Sequence, residues 1–382
     1  MGKELNAREQ ALVEAGRAVA AVAAAVAAEC EADRRPPREV WQAYRQAGLK
    51  GLRVPAEKGG HAISAYAMAQ ISEALGAADS TAALTFVPQE YCMAAIAAYG
   101  HHPWHAEMLR ILLAGKRTTG FLLTEPQAGS DAAAITTLAT RTSSGWRLSG
   151  AKAWVSNARD IDEHFVFAQT EPGSGAKGIA AFLVPADAAG IVIGEPYALI
   201  GGHSAGICDV RFDDVALSPE RLVVPPGEGL KAALAAIDLA RVNVAAMCCG
   251  MLQVALDTAL DYASKRRAFG RAIAEFQGLQ WQLAEVATDL EAARLLTYDA
   301  AERLDRDGKA AVAAAHAKKF ASVVALRGIE ACMQAMGANG LRHDWPLARF
   351  FAQAKIAQCL DGTTEIQNVV IARSLFAPPR QG

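Results

Sequence analysis

Two short segments hold side chains whose types and spacing suit redox chemistry on a flat heterocycle. Leu122 to Asp131 reads Leu-Leu-Thr124-Glu125-Pro126-Gln-Ala-Gly129-Ser130-Asp131, a strand end running into a proline turn with hydroxyls able to meet a polar ring edge. Lys152-Ala-Trp154-Val-Ser156-Asn157 follows about thirty residues on, and a strand there places Trp154 and Ser156 on one face. An aromatic plate beside a hydroxyl suits an isoalloxazine, which needs one face covered and hydrogen bonds along its edges. Either segment alone also reads as a strand with an aromatic core residue.

Other motifs lack the context their chemistry requires. Gly173-Ser-Gly175-Ala-Lys-Gly178 matches a dinucleotide loop, but a short β-like run, Ile179 to Val184, follows where a helix N-terminus must bind the phosphate. Gly202-His-Ser204-Ala-Gly206 matches a nucleophile elbow, yet it too precedes a strand-like stretch, Cys208 to Phe212. His101, His102 and His105 lack the carboxylates or thiols of a metal site, and His102-Pro103 reads as the first turn of a helix. No metal centre is expected.

The elements that must position these residues change character twice along the chain. Helical spacing runs to about Gly115, as in Met68, Ile71, Ala74 and Leu75. From Thr119 to Val223 short alternating runs such as Trp146/Leu148, Phe165/Phe167 and Val210/Phe212 predict strands. After Pro225-Pro226-Gly227 helical spacing returns, with Leu252, Leu256 and Leu260, then Leu279, Leu283, Val286 and Leu290. The expected divisions are a helical domain over 1–118, a β domain over 119–223 and a helical bundle over 224–382. Strands and helices segregated in this way argue against a parallel-sheet nucleotide fold.

Composition narrows the partners. With 38 basic and 40 acidic residues among 382, no global field favours nucleic acid or an anionic membrane. Seven cysteines, odd in number and without a CxxC pair, suit reduced thiols in a cytoplasm. The longest apolar run, Ala18 to Ala28, is too short to span a bilayer and reads as an alanine-rich helix.

Three further segments complete a pattern. Arg266-Arg-Ala-Phe269-Gly270 precedes Gln277; Gln334-Ala-Met-Gly337-Ala-Asn339-Gly340 is glycine-rich; and Leu360-Asp361-Gly362-Thr363-Thr364-Glu365-Ile-Gln367 closes the series. By residue type alone Arg266, between Lys265 and Arg267, is either a solvated basic face or a fork for phosphate oxygens. Taken in order, the five segments resemble the acyl-CoA dehydrogenase family.

That resemblance implies a mainly α, α+β fold: a helical N-terminal domain, a β-barrel-like middle domain and a C-terminal four-helix bundle that mediates assembly as a homotetramer or homodimer. It implies FAD, with Thr124 and Ser156 bonding the flavin, Trp154 flanking its ring and Ser130 near the cofactor and the pantetheine of an acyl-CoA. Arg266, Phe269, Gln277, Gln334, Gly337, Thr363 and Glu365 would meet the FAD tail, partly across a subunit interface. Arg241, Asp361 and Gly362 would meet the substrate, and an electron-transfer flavoprotein would accept the electrons.

One position departs from the family pattern. The base in the last loop is ordinarily glutamate, and here it is Asp361; the alternative position used by some members, just before Arg241, holds Ala240. Aspartate is one methylene shorter, and a misplacement of about 1 Å costs roughly a hundredfold in rate. The expected activity remains α,β-dehydrogenation with Asp361 as base, for a branched, cyclic or otherwise unusual acyl group. A nitroalkane-oxidase-like flavoenzyme is the alternative, as are action on carrier-protein thioesters, a hydroxylase or desulfinase, and a flavin-binding relative without catalysis. Glu90 is either a second carboxylate near the acyl group or a charge on a helix surface.

Overall fold

Asn6 opens the first helix with reciprocal caps: its side chain accepts from the Glu9 N–H at 2.9 Å while the Glu9 carboxylate accepts from the Asn6 N–H at 3.3 Å. The computed structural model describes residues 3–376. Five helices come first: α1 (Ala7–Ala32), α2 (Arg38–Gln46), α3 (Ala65–Ala78), α4 (Ser80–Tyr99) and α5 (Pro103–Leu113). Asp79, in extended conformation, both ends α3 and caps α4, accepting from the Thr81 N–H at 2.8 Å. His102 caps α5, which accounts for that histidine cluster.

The middle of the chain forms β1 (Thr119–Leu122), β2 (Leu138–Thr142), β3 (Gly145–Val155), β4 (Glu163–Gln169), β5 (Ile179–Pro185), β6 (Ile191–Ile193), β7 (Cys208–Leu217) and β8 (Leu222–Val224). They build one mainly antiparallel sheet in the order β6-β7-β3-β2-β4-β5-β8, with β1 parallel to β4. Val166, Ala168, Phe182 and Val184 point into a core against which both edge strands also pack, as in a barrel. The alternate residues Phe165, Phe167, Ala181 and Leu183 face Met93 and Ile96 of α4 and Leu109 and Leu112 of α5. The two glycine motifs are loop turns, Gly175–Gly178 before β5 and His203–Ala205 before β7, with Ser204 buried and bonded to Thr81.

The last part comprises α6 (Gly229–Lys265), a small hairpin (Arg267–Ala268 with Arg271–Ala272), α7 (Gln277–Asp307), α8 (Ala311–Met336), α9 (Leu347–Ala357) and α10 (Thr364–Leu375). α6 has 37 residues, about 55 Å of helix, and is buried on every side from Leu239 to Leu252. Its neighbour α3 approaches so closely that a Cβ at Gly76 would meet the Met247 backbone at 2.5 Å, and one at Gly250 the Glu73 carbonyl at 2.1 Å. Small residues at this crossing are a packing requirement, which gives the alanine-rich composition a physical reason.

The Ala18–Ala28 run belongs to a 26-residue helix, so the expectation that it is too short needs correction. By length and composition α1 and α6 are both able to cross a membrane, and 67% of the apolar window of α6 is buried inside the protein. On α1, Val13, Val19, Ala20 and Ala23 join the same core as α3.

Candidate active site

A buried ion pair fixes the first wall of the site. Lys152 Nζ lies 2.8 Å from Glu125 Oε1 and donates to the Leu123 carbonyl at 2.9 Å, tying β3 to the loop after β1. Glu125 also accepts from the Thr136 and Thr137 N–H groups at 2.6 and 3.0 Å. Burial pushes the Glu125 carboxyl up, but the Lys152 charge and these bonds outweigh it and hold the group at about 2. Burial brings Lys152 down to about 8 against the pull of Glu125.

This clamp brings Thr124 against the segment that carries Trp154 and Ser156: Thr124 accepts from the Ala153 N–H at 2.9 Å through its carbonyl. The expected strand ends at Val155, and at Trp154 the backbone turns left-handed, with φ of 61°. The regular alternation therefore breaks, and the register with β7 shifts between Lys152 and Val155. Trp154 is nonetheless 58% exposed, its indole edge-on to Tyr197 at 4.8 Å. It lines a cavity of about 370 Å³ together with Ser156, Phe121, Leu84 and Pro88. Ser130 is exposed on the loop beyond.

The carboxylate loop forms a second cluster. Asp361 and Gly362 are both left-handed, with φ of 50° and 92°, and Thr363 caps α10. Three buried side chains hold the turn by its carbonyl oxygens. Lys318 donates to Gly362 at 2.7 Å and to Gln358 at 2.8 Å; Arg241 Nε donates to Asp361 at 3.1 Å; Gln367 donates to Gly362 at 2.7 Å. Arg241 is itself paired with Asp238 at 3.2 Å. The Asp361 side chain is half-buried, and among the described residues its N–H has no acceptor. Burial raises its carboxyl to about 6, while the charges of Lys318 and Arg241 pull the other way.

The remaining predicted residues gather at the far end of the bundle. Arg266 ends α6, Phe269 is 94% exposed on the hairpin tip, and Gln277 begins α7. Gln334 and Gly337 lie where α8 ends, joined to α6 through an Asn339–Tyr262 hydrogen bond of 2.8 Å. Arg266 is exposed and, among the described residues, without an ion pair. Along α6 it stands about 37 Å from Arg241. Glu365 is exposed on the first turn of α10, its carboxyl lowered chiefly by the Thr363 hydroxyl.

Three residues gain a structural account. Glu90 is not on a helix surface: it is fully buried, accepts from the Gly51 N–H at 3.1 Å, and burial raises it to about 7. Arg241 reaches the Asp361 main chain, which makes it a support for the loop. Lys318, absent from the sequence-based set, makes two such bonds, and its trace in the sequence is the first lysine of Lys318-Lys319, set among Ala314, Ala317, Ala321 and Ala325 on the buried face.

The residues fit FAD. A half-exposed indole with hydroxyls at its side suits the ring, and an unpaired guanidinium beside glycine backbone open to a ligand suits the pyrophosphate. Comparison with known proteins agrees. Models of the acyl-CoA dehydrogenase N-terminal, middle and C-terminal domains match residues 6–116, 120–215 and 227–376. A probable acyl-CoA dehydrogenase of Mycobacterium tuberculosis, FadE25, is 34% identical over 92% of this chain and 90% of its own. Butyryl-CoA dehydrogenase from Megasphaera elsdenii superposes with a TM-score of 0.93 at 29% identity, covering 98% and 100% of the two chains. A chain solved in work on the electron transferring flavoprotein of Acidaminococcus fermentans gives 0.94 at 31%, covering 99% and 100%. The chain belongs to the acyl-CoA dehydrogenase family. It is accordingly a flavin-dependent oxidoreductase whose cofactor is FAD.

Proposed function

We propose that the protein oxidises the α,β carbon bond of an acyl-CoA thioester, with Asp361 removing the α-proton. The observation that carries this reading is the Asp361 loop: a carboxyl raised to about 6 beside a free main-chain N–H, both held by Lys318, Arg241 and Gln367. Raising the carboxyl strengthens the base, and the N–H is a donor for the thioester oxygen as enolate charge develops there. Bound FAD supplies the acceptor for the hydride leaving the β-carbon, so an enoyl thioester is released. Thr124, Trp154 and Ser156 hold the ring, Ser130 lies along the cofactor and pantetheine, and Gly362 lets the acyl group approach the loop.

Arg266, Phe269, Gln277, Gln334 and Gly337 are too far from Asp361 to serve the same ring end, which supports a site shared between copies in a homotetramer or homodimer. Thr363 and Glu365 contact the FAD tail. An electron-transfer flavoprotein is the electron acceptor, the compartment is the cytoplasm, and the domain divisions fall at 118/119 and 223/224.

The test is anaerobic titration with straight, branched and cyclic acyl-CoAs, following the flavin's visible absorbance. Bleaching by a thioester is expected, and lost in Asp361→Asn with FAD retained. Reduction of Asp361→Asn at the original rate would overturn the assignment of the base. Bleaching by a nitroalkane alone would move the activity to the nitroalkane-oxidase class.

A further inference from the structure

Arg38, Trp41 and Arg45 follow one another at spacings of three and four along α2, so they share one face of that helix. All three line the same cavity as Trp154 and Ser156. Lys50, just beyond the end of α2, lines it as well. Among the lining residues Asp160 is the only carboxylate, and it is paired with Arg38 at 3.2 Å. One cavity therefore joins the ring-holding wall to an excess of positive charge that the protein does not itself neutralise.

The half-buried Lys50 is aimed by α4. Gln89 Nε2 donates to the Thr85 carbonyl at 2.8 Å, which fixes the amide, so Gln89 Oε1 is the atom that accepts from Lys50 Nζ. Both Thr85 and Gln89 line the cavity. The other two ammonium hydrogens have no acceptor among the described residues. Burial lowers the Lys50 ammonium and the Arg45 charge adds to that fall, while Glu90 and Asp162 oppose it. Neither acid pairs with Lys50: Glu90 accepts from the Gly51 N–H at 3.1 Å, and Asp162 from the Thr118 N–H at 2.7 Å. Arg45 is more exposed, and its stem lies across Gly115, where a Cβ would meet its Cγ and Cδ at 2.8 Å. Among the described residues its guanidinium has neither an ion pair nor a hydrogen bond. Between these two cations on the cavity wall, Trp41 Nε1 is a buried donor without a partner. Such donors are costly unless a ligand completes their bonds.

We infer that this cavity receives the far end of the acyl group as a carboxylate, paired with Lys50 and Arg45, so that the substrate is the mono-CoA thioester of a dicarboxylic acid. The inference rests on the acyl-CoA reading and narrows it. A carboxylate accepts through two oxygens and answers an ammonium, a guanidinium fork and an indole N–H at once. The distal acid takes no part in the bond changes between the α and β carbons. It sets specificity, because an alkyl end leaves the protein's own cations unpaired and a site built for a polar group discriminates against the analogue that lacks it.

The experiment compares pairs in which a terminal carboxylate replaces an isopropyl group of similar shape: glutaryl-CoA against 5-methylhexanoyl-CoA, adipoyl-CoA against 6-methylheptanoyl-CoA, and suberoyl-CoA against 8-methylnonanoyl-CoA. The wild-type protein favours at least one diacid over its alkyl partner by about tenfold or more in kcat/KM. Lys50→Met, with FAD retained, lowers kcat/KM for that diacid about 10- to 100-fold, chiefly through KM, and changes the alkyl partner less than about twofold. Arg45→Leu, at a position exposed enough to spare the fold, moves the diacid the same way by about threefold. Lys50→Arg keeps part of the preference. Equal use of both members of every pair by the wild type overturns the inference, as does an unchanged preference in Lys50→Met. An equal loss on both members in Lys50→Met and Arg45→Leu also overturns it, since that is the behaviour of cations acting on the ring or on packing. Failure of every thioester to bleach the flavin overturns the acyl-CoA reading instead.

Discussion

Lys318 Nζ lies 2.7 Å from the carbonyl oxygen of Gly362, the residue next to Asp361, so a buried ammonium both shapes the carboxylate loop and acts on its charge. The influence is mutual. Burial lowers Lys318 to about 8, and Asp361 is the foremost charge opposing that fall.

A pH profile follows from this pair. Asp361 must be ionised to act as base, so kcat/KM rises through about pH 6. The sign for folding is opposite: a carboxyl raised above its ordinary value stabilises the fold at low pH, and that contribution is lost as pH rises through about 6. Lys318→Met removes a cation that favours the carboxylate, so the acid limb moves to higher pH. Steady-state rates across the range decide it; a downward displacement excludes Lys318 as a partner of the base.

The order of helices, strands and helices was legible because apolar spacing changes from helical to alternating and back. Asp361 stood out because it sits in a motif ordinarily filled by a longer acid. The Lys318, Gln367 and Arg241 supports were not legible as a unit, since they come from three helices and meet only at backbone carbonyls. Glu90 was left between two readings for a related reason: besides the Tyr44 hydroxyl its partner is the Gly51 N–H, and a main-chain donor leaves no mark in side-chain types. The left-handed turn at Trp154 was equally hidden, because nothing in Ala-Trp-Val-Ser announces positive φ.

The Glu125–Lys152 pair gives a stability prediction. Glu125→Gln leaves Lys152 buried without its counter-charge, so the lysine either stays charged at a cost or gives up its proton, a loss of about 3–5 kcal/mol. Lys152→Met with Glu125→Gln replaces both charges and recovers part of it. For the intact pair, Glu125 is lowered, so its stabilisation is present above the ordinary carboxylate range and lost as pH falls toward about 2. Urea unfolding of the single and double variants measures the difference; an equal loss in both removes the charge pairing from the account.

Gly362→Ala tests the loop geometry. At φ of 92° an alanine is strained, and its Cβ would meet Gln367 Nε2 at 2.9 Å and Ile366 Cγ2 at 3.0 Å. The loop must shift, and displacement of Asp361 by about 1 Å lowers kcat by roughly a hundredfold. FAD is retained when supplied in excess, because the ring wall at Thr124 and Ser156 is held separately by Glu125 and Lys152, and any loss of affinity comes through Thr363 at the tail. Stopped-flow flavin reduction and the bound-FAD absorbance of the same sample separate these two effects; unaltered reduction would show that the loop tolerates the shift.

Arg266 provides the complementary separation, because its proposed role is at the cofactor while it lies about 37 Å along α6 from the loop support Arg241. Arg266→Ala removes a charge-assisted bond of about 1.5–3 kcal/mol, so FAD affinity falls roughly 10- to 100-fold. Arg266→Lys keeps the charge without the fork and recovers only part of the loss. Once saturated with FAD, both variants retain the wild-type acid limb, since among the described residues no hydrogen bond or ion pair links Arg266 to Asp361. Fluorimetric FAD titration and the pH profile of the reconstituted variants form the test. If the assembled protein uses Arg266 from one copy for the site of another, mixing Arg266→Ala with Asp361→Asn chains regenerates some active sites although neither variant alone reaches wild-type activity at limiting FAD. Absence of that recovery in mixed oligomers means that each chain completes its own site.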